Sequence, residues 1–457
     1  MLPKIAPLAA QRKEPYERFL IAALPVSLVL AVWLMAARPL RAAVEVAAVE
    51  NVKPALPTIP DRTFTLTDFG AVGDGTFLNT DAFKRAIAAV EKAGGGRLVV
   101  PKGVFRTLPF NLYSNLDLHL DAGAVIQAPD TFAAYGLPDP ATLHSQDEVR
   151  AKVKTPPPLI MGKNLHDVAI TGTGTIDGNG ALWWAWSERA ARAAAKTEPG
   201  RIVYSRPNLV VVNGCERLYV ADITLTNSSK FHLVPGKITD LTIERVKVRA
   251  PFNAPNTDAI DPDPVTNALI RDCDIDTGDD DIVIKTGGTN ILIENCTIKH
   301  GHGISIGSGT TGGVHNMLVR NCTFEGTDNG IRIKSMRGSG GPVENIRYTD
   351  IRMKQVTNAI VLDLNYVDNN RPDFKGDPGK TPSIHKILID NVTIENSRNA
   401  GKIVGLPESR ITDVTLRNVQ ITAEHDLVIQ DADQPVFDRV TVAIKPGVAP
   451  ASPAVVE

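Results

Sequence analysis

Excess charge is nearly absent from this sequence. Its 457 residues carry 49 Lys plus Arg against 51 Asp plus Glu, a formal net charge of −2, and no basic block or Arg/Lys stripe interleaved with aromatics runs along it. Nucleic acid is therefore excluded as a partner. Cysteine is scarce as well, at four residues, and Cys215, Cys273, Cys296 and Cys322 show no metal-ligand pattern. Three of them share one phase of the repeat described below, where they read as small apolar side chains stacked in a core row. A disulfide among them, or with Cys215, stays open in an oxidising compartment, but the spacing does not require it. A helical pattern between the repeated strands is missing too, which argues against a leucine-rich repeat.

What is present is a large soluble β protein: 43% hydrophobic residues, 36 Gly and 32 Pro supply a long core and many turns. The first 43 residues stand apart. Lys4, Arg12, Lys13 and Arg18 precede an apolar run from Phe19 to Ala37, with the small residues Ala42 and Ala43 after Arg41. This reads as an export signal, or as an uncleaved membrane anchor given the length of the run, with Pro25 inside it arguing against the anchor. The expected location is periplasmic or extracellular, and a monomer is expected. Residues 1 to 43 hold six basic side chains against two acidic ones, so the remainder is more acidic than the whole chain. Binding an acidic polymer must then be local.

Residues 44–60, rich in Ala, Val and Pro, read as a linker, 61–445 as one catalytic domain and 446–457 as a flexible tail. Phe64 to Gly75 reads as a strand entering a glycine turn. A helix follows, with Thr80 as its cap, Phe83, Ile87 and Val90 on one face, and Gly94 to Gly96 at its end.

The repeat follows. Apolar strands recur at Leu218–Ile223, Leu241–Val246, Leu269–Cys273, Ile291–Cys296, Leu318–Cys322, Ile387–Val392 and Val414–Val419, each with Asn, Asp or Arg at one phase. Asp222 to Arg245 and Asp272 to Asn295 are each 23 residues, and Asn295 to Asn321 is 26. Short strands without helices at this period predict an all-β right-handed parallel β-helix, a solenoid whose coils stack ~4.8 Å apart. The helix after Gly75 is the candidate cap for the open end of its core. Two insertions, 131–157 and 183–205, are too long for coil turns. Trp183, Trp184 and Trp186 in the second either stack on sugar rings or, the favoured reading, pack the insertion onto the solenoid. A third loop, 365–380, carries Tyr366, Arg371, Lys375 and Lys380.

Four charged clusters lie about one coil apart: Asn256-Thr257-Asp258, Gly278 to Asp281, Gly301-His302-Gly303 and Arg332-Ile333-Lys334. Asp258 precedes Asp280 by 22 residues, and Asp280 precedes His302 by 22. Alone, each has a bland reading: an Asp-rich turn bonding its own backbone, a tight glycine turn, an outward strand edge with Ile333 facing the core. Stacked, they gather carboxylates, an imidazole and two cations on one surface, which are the groups for cleaving a glycosidic bond beside an acidic sugar. Neighbouring strand residues face opposite ways, so Asp279 and Asp280 can share a cleft only at a bend.

The order of these motifs resembles the polygalacturonase family, glycoside hydrolase family 28, from about Phe64 to Val442. Further signs are Asp68 to Gly75, Gly174-Thr175-Ile176-Asp177-Gly178-Asn179-Gly180 before Trp183-Trp184, and Arg206-Pro207. Two positions depart from the family pattern: Ala259 replaces a common glycine, and Asp281 stands where an uncharged residue is frequent. The resemblance implies hydrolysis of α-1,4-galacturonosidic bonds in pectin or polygalacturonate with inversion, without cofactor or metal. It implies Asp279 as general acid, Asp258 and Asp280 holding and deprotonating the attacking water, and His302 supporting the acid's protonation state. Arg332 and Lys334 would bind the sugar carboxylate, with Asn256 and Tyr366 lining the same subsites. Alternatives are a related rhamnogalacturonan or xylogalacturonan hydrolase, a Ca²⁺-dependent polysaccharide lyase, and a non-catalytic carbohydrate-binding β-helix. Endo and exo action both remain open.

Overall fold

The residue at the fixed phase of each repeat turns a corner. Asp222, Arg245, Asp272, Asn295, Asn321, Asn391 and Asn418 have φ between 51 and 67°, the left-handed region that Asn and Asp tolerate better than most side chains. In the computed structural model, which describes residues 49–367 and 376–447, these corners stack: Asn295 Nδ2 donates to Asp272 Oδ1 at 3.0 Å and Asn321 Nδ2 to Asn295 Oδ1 at 2.7 Å. A second ladder repeats the device at Asn267, Asn290, Asn316 and Asn345. In the middle coils a short strand follows the corner, as in Asp274–Thr277, Thr297–His300 and Thr323–Glu325.

Among the described residues, strands from Thr63–Thr65 to Val436–Ile444 join into one sheet, paired in parallel from coil to coil. The chain is a parallel β-helix. Strand register places Leu218, Leu241, Ala268, Ile291, Met317, Ile346 and Ile387 in one buried row, each large side chain worth about 1.5–3 kcal/mol of burial. Cys273, Cys296 and Cys322 form a similar row of buried free thiols, and Cys215 is also free and buried.

The expected helix runs Thr80–Lys92 and buries Ala82, Phe83, Ala86, Ile87 and Val90. Phe83 stacks on Phe110 with ring centroids 4.6 Å apart. Thr80 is not its cap. Asn79 holds that position, and its side chain is occupied by the glycine turn, donating to the Val72 and Phe77 carbonyls. The Thr80 hydroxyl instead accepts from Leu108 N at 2.9 Å.

The described part of the expected linker is held against the solenoid. Thr58 N donates to Asp167 Oδ1 at 2.8 Å, and Glu50 lies 3.5 Å from the Arg347 guanidinium. The export segment at 1–43, residues 44–48, Arg371, Lys375 and residues 448–457 of the tail lie outside the described residues.

The two insertions build a small core of their own. Trp183 is fully buried there, edge-on to Phe132 at 5.0 Å and Tyr135 at 5.3 Å, with Val149, Ile202 and Tyr204 around it. Packing, rather than sugar stacking, is the role of Trp183. The insertion also sends the helix Glu188–Ala193 to the cleft described next.

Candidate active site

Six consecutive coils build the cleft. Leu233, Ile260, Ile282, Ile304, Ile331 and Ile360 pair in sequence, one per coil. Their apolar side chains point to the core and fix which neighbours point out. In Asn329–Lys334, Ile331 and Ile333 are buried in the core while Arg332 and Lys334 line the cleft, as strand alternation requires. All eight residues singled out in the sequence, Asn256, Asp258, Asp279, Asp280, His302, Arg332, Lys334 and Tyr366, lie around this one cleft.

The three consecutive acids do not behave alike. A bend at Gly278–Asp279 precedes the strand Ile282–Ile284, and a Cβ at Gly278 would meet the Ala254 carbonyl at 2.4 Å. Asp279 and Asp280 both reach the cleft as a result. Asp281 turns inward, fully buried, accepting from Thr277 Oγ1 at 3.1 Å and Gly303 N at 2.8 Å. It braces the glycine turn that carries His302.

Asp280 is the hub of the cations. Its Oδ1 accepts from Arg332 Nη1 at 3.0 Å and Ser305 Oγ at 2.8 Å, and its Oδ2 lies 2.8 Å from Lys334 Nζ. Burial would raise its pKa, but Lys334 and Arg332 outweigh that and hold it below the usual carboxylate range. Asp279 Oδ1 lies 3.1 Å from His302 Nδ1, whose other nitrogen faces Asp328 Oδ2 at 3.3 Å. Burial opposes the imidazolium, yet Asp279 and Asp328 push the His302 pKa up to about 10, while His302 overcomes the burial of Asp279 to lower its pKa.

Asp258 sits in a different network. Lys285 Nζ lies 2.9 Å from Asp258 Oδ2 and 2.6 Å from Asp261 Oδ2, and 4.0 Å from the centre of the Phe231 ring. Two buried carboxylates share this one ammonium. Burial raises the pKa of both, that of Asp258 to about 6, with Asp279 and Asp280 adding repulsion. Among the described residues Asp258 Oδ1 is buried without a hydrogen-bond partner. Beneath it, buried His232 bonds the Asp258 carbonyl at 3.0 Å, and burial keeps its pKa down at about 4. Asn256 has φ 54°; its Oδ1 accepts from Arg206 Nη2 at 2.7 Å and its Nδ2 faces Asp279 at 3.4 Å. The centre of the Tyr366 ring lies 5.5 Å from Lys334 Nζ and 5.9 Å from the Arg332 guanidinium carbon.

Atoms of Asp279, Asp280 and His302 lie within 4.8 Å of one another, a spacing that could hold a metal. Both Asp280 oxygens already face cations, so an arriving metal ion would meet two fixed positive charges. The donor set does not suit one.

Lys285 and Asp261 were missed in the sequence, although a signal existed. Asp261 precedes Lys285 by 24 residues, about the coil length of 22 that links Asp258 to Asp280.

Residues 96–435 match the pattern of Glycosyl hydrolases family 28. The chain belongs to that family. It is 32% identical over 376 residues to a probable polygalacturonase of Vitis vinifera, covering 78% of this chain and 74% of that protein. To an endo-polygalacturonase of Pectobacterium carotovorum it is 29% identical, covering 79% and 90%. Among solved structures, an exopolygalacturonase from Thermotoga maritima superposes with TM-score 0.72 at 28% identity, covering 85% of this chain and 94% of that one. This family 28 chain is a glycoside hydrolase.

Proposed function

We propose that this family 28 enzyme hydrolyses α-1,4-galacturonosidic bonds of pectin or polygalacturonate, with inversion at the anomeric carbon. The observation that carries the proposal is the convergence of Asp258, Asp279, Asp280 and His302 with Arg332 and Lys334 in one cleft. Relatives named polygalacturonase support the substrate class.

In the proposed reaction Asp279 donates its proton to the leaving oxygen as the glycosidic carbon–oxygen bond breaks. Water adds from the opposite face and gives its proton to a carboxylate. Asp258 is the better acceptor because its pKa is raised to about 6, whereas Asp280 is held ionised by two cations and orients the water. The Asp279–His302 pair holds one proton, which rests on the imidazole. Its transfer to Asp279 readies the acid. Arg332 offers a planar fork to the sugar carboxylate and Lys334 a compact charge beside it, with Tyr366 behind both.

Residues 1–43 direct export, and the substrate is met outside the cytoplasm. Digestion of polygalacturonate tests the activity: release of reducing ends with saturated sugars is expected. Unsaturated ends would indicate a lyase, and binding without cleavage a lectin-like β-helix.

A further inference from the structure

Arg332 and Lys334 lie to one side of the acids. The strand ladder orders the coils as Leu233, Ile260, Ile282, Ile304 and Ile331. The acids Asp258, Asp279 and Asp280 thus lie on middle coils, with Arg332 and Lys334 beyond them on the side of Ile331. Lys230 lies on the opposite side, three residues before Leu233, and lines the same cleft. Its ammonium stands 4.8 Å from the centre of the half-buried Phe231 ring. Among the described residues Lys230 has no ion pair, although every other cation lining this cleft is matched: Arg332 and Lys334 to Asp280, and Lys285 to Asp258 and Asp261.

A half-buried ammonium is costly when unpaired. Burial and then Arg206 work against the charge of Lys230, lowering its pKa. The acids around it face other cations: Asp258 faces Lys285, and the exposed Glu188 lies 3.9 Å from Arg206. An anion arriving in the cleft would relieve this.

We propose that Lys230 is a second carboxylate clamp, taking the acid group of the sugar on the far side of the scissile bond from Arg332 and Lys334. The inference rests on the galacturonan reading above and sharpens it: the two sugars flanking the cleaved bond must both carry free carboxylates. Backbone levels from Lys230 to Arg332 span four coil steps, ~19 Å at ~4.8 Å each. Long side chains shorten the gap, as Arg332 already reaches across two coils to Asp280. A methyl ester on either flanking sugar removes the charge that its clamp binds.

The test compares wild type, Lys230→Met and Lys230→Arg on polygalacturonate and on a partly methyl-esterified pectin, with thermal midpoints as a check on folding. Expected for Lys230→Met is a KM about tenfold higher on polygalacturonate, the scale of one hydrogen bond to a charged group, with kcat little changed. The preference for the unesterified polymer should shrink, and Lys230→Arg should restore most of both. Unchanged KM and unchanged ester preference in Lys230→Met would overturn the clamp while leaving the hydrolase reading intact, as would Lys230→Arg behaving like Lys230→Met. A wild type that does not cleave polygalacturonate would remove the reading beneath it, and the clamp with it.

Discussion

Lys334 and Asp280, 54 residues apart in sequence, meet across two coils with Nζ 2.8 Å from Oδ2. The residue proposed to grip the sugar carboxylate therefore also sets the charge of a carboxylate proposed to act in catalysis. Lys334→Met should raise KM and also lower kcat, because Asp280 loses one of the two cations that keep it ionised. Stability should fall by about 3 kcal/mol, the low end for breaking a buried pair, since Arg332 remains. Steady-state kinetics with a denaturant melt checks both; a KM effect alone would assign Lys334 to binding only.

Lys285 lowers the pKa of Asp258, and as the proposed base Asp258 must be ionised to accept a proton from water. For wild type, kcat/KM should rise with pH through about 6, where Asp258 loses its proton. Removing the ammonium in Lys285→Met leaves burial and acid repulsion unopposed. The rising limb should then move up by about 1–3 units. A pH profile of kcat/KM measures this, and an unmoved limb would detach Lys285 from the base.

In the proposed reaction His302 carries the proton that readies Asp279. On the alkaline side, activity should fall as the pair loses that proton near pH 10. In His302→Ala the reservoir is gone, so the fall should begin at lower pH and the maximum rate drop by about 10². An unchanged alkaline limb would mean that His302 only shapes the turn between Gly301 and Gly303.

The solenoid corners predict a separate, structural effect. Asn295 has φ 56° and bonds both its ladder neighbours. Asn295→Ala should destabilise by about 1–2 kcal/mol, the penalty of a left-handed alanine, plus the lost side-chain bonds. Asn295→Gly should lose less, because glycine adopts that φ freely. Denaturant melts of the two variants decide the order.

Much of this was legible in the sequence because a coil of nearly constant length turns sequence spacing into spatial stacking. Asp258, Asp280 and His302 are 22 residues apart, and each falls one coil above the last. The corner residues were visible for the same reason. Legibility failed where one side chain had to be placed within a coil. Asp281 turns inward because the chain bends at Gly278, where close backbone contact leaves room only for glycine, and a strand pattern does not reveal that bend. Lys285, alone at the end of an apolar strand, looks like a surface charge until Asp261 is seen one coil below. Thr80 looked like a cap because the letter pattern does not show that Asn79 is engaged by the preceding turn. The stretch before Asp61 looked like a free linker because its hold, through Thr58 and Glu50, is on residues far along the chain.

The most direct measurement is the digestion of polygalacturonate by wild type and Asp279→Asn, with reducing ends counted and the anomer first released followed by NMR. If Asp279 is the acid of an inverting hydrolase, wild type releases saturated products of inverted configuration and Asp279→Asn is slower by about 10²–10⁴. Equal rates for the two proteins, or products of retained configuration, would contradict it.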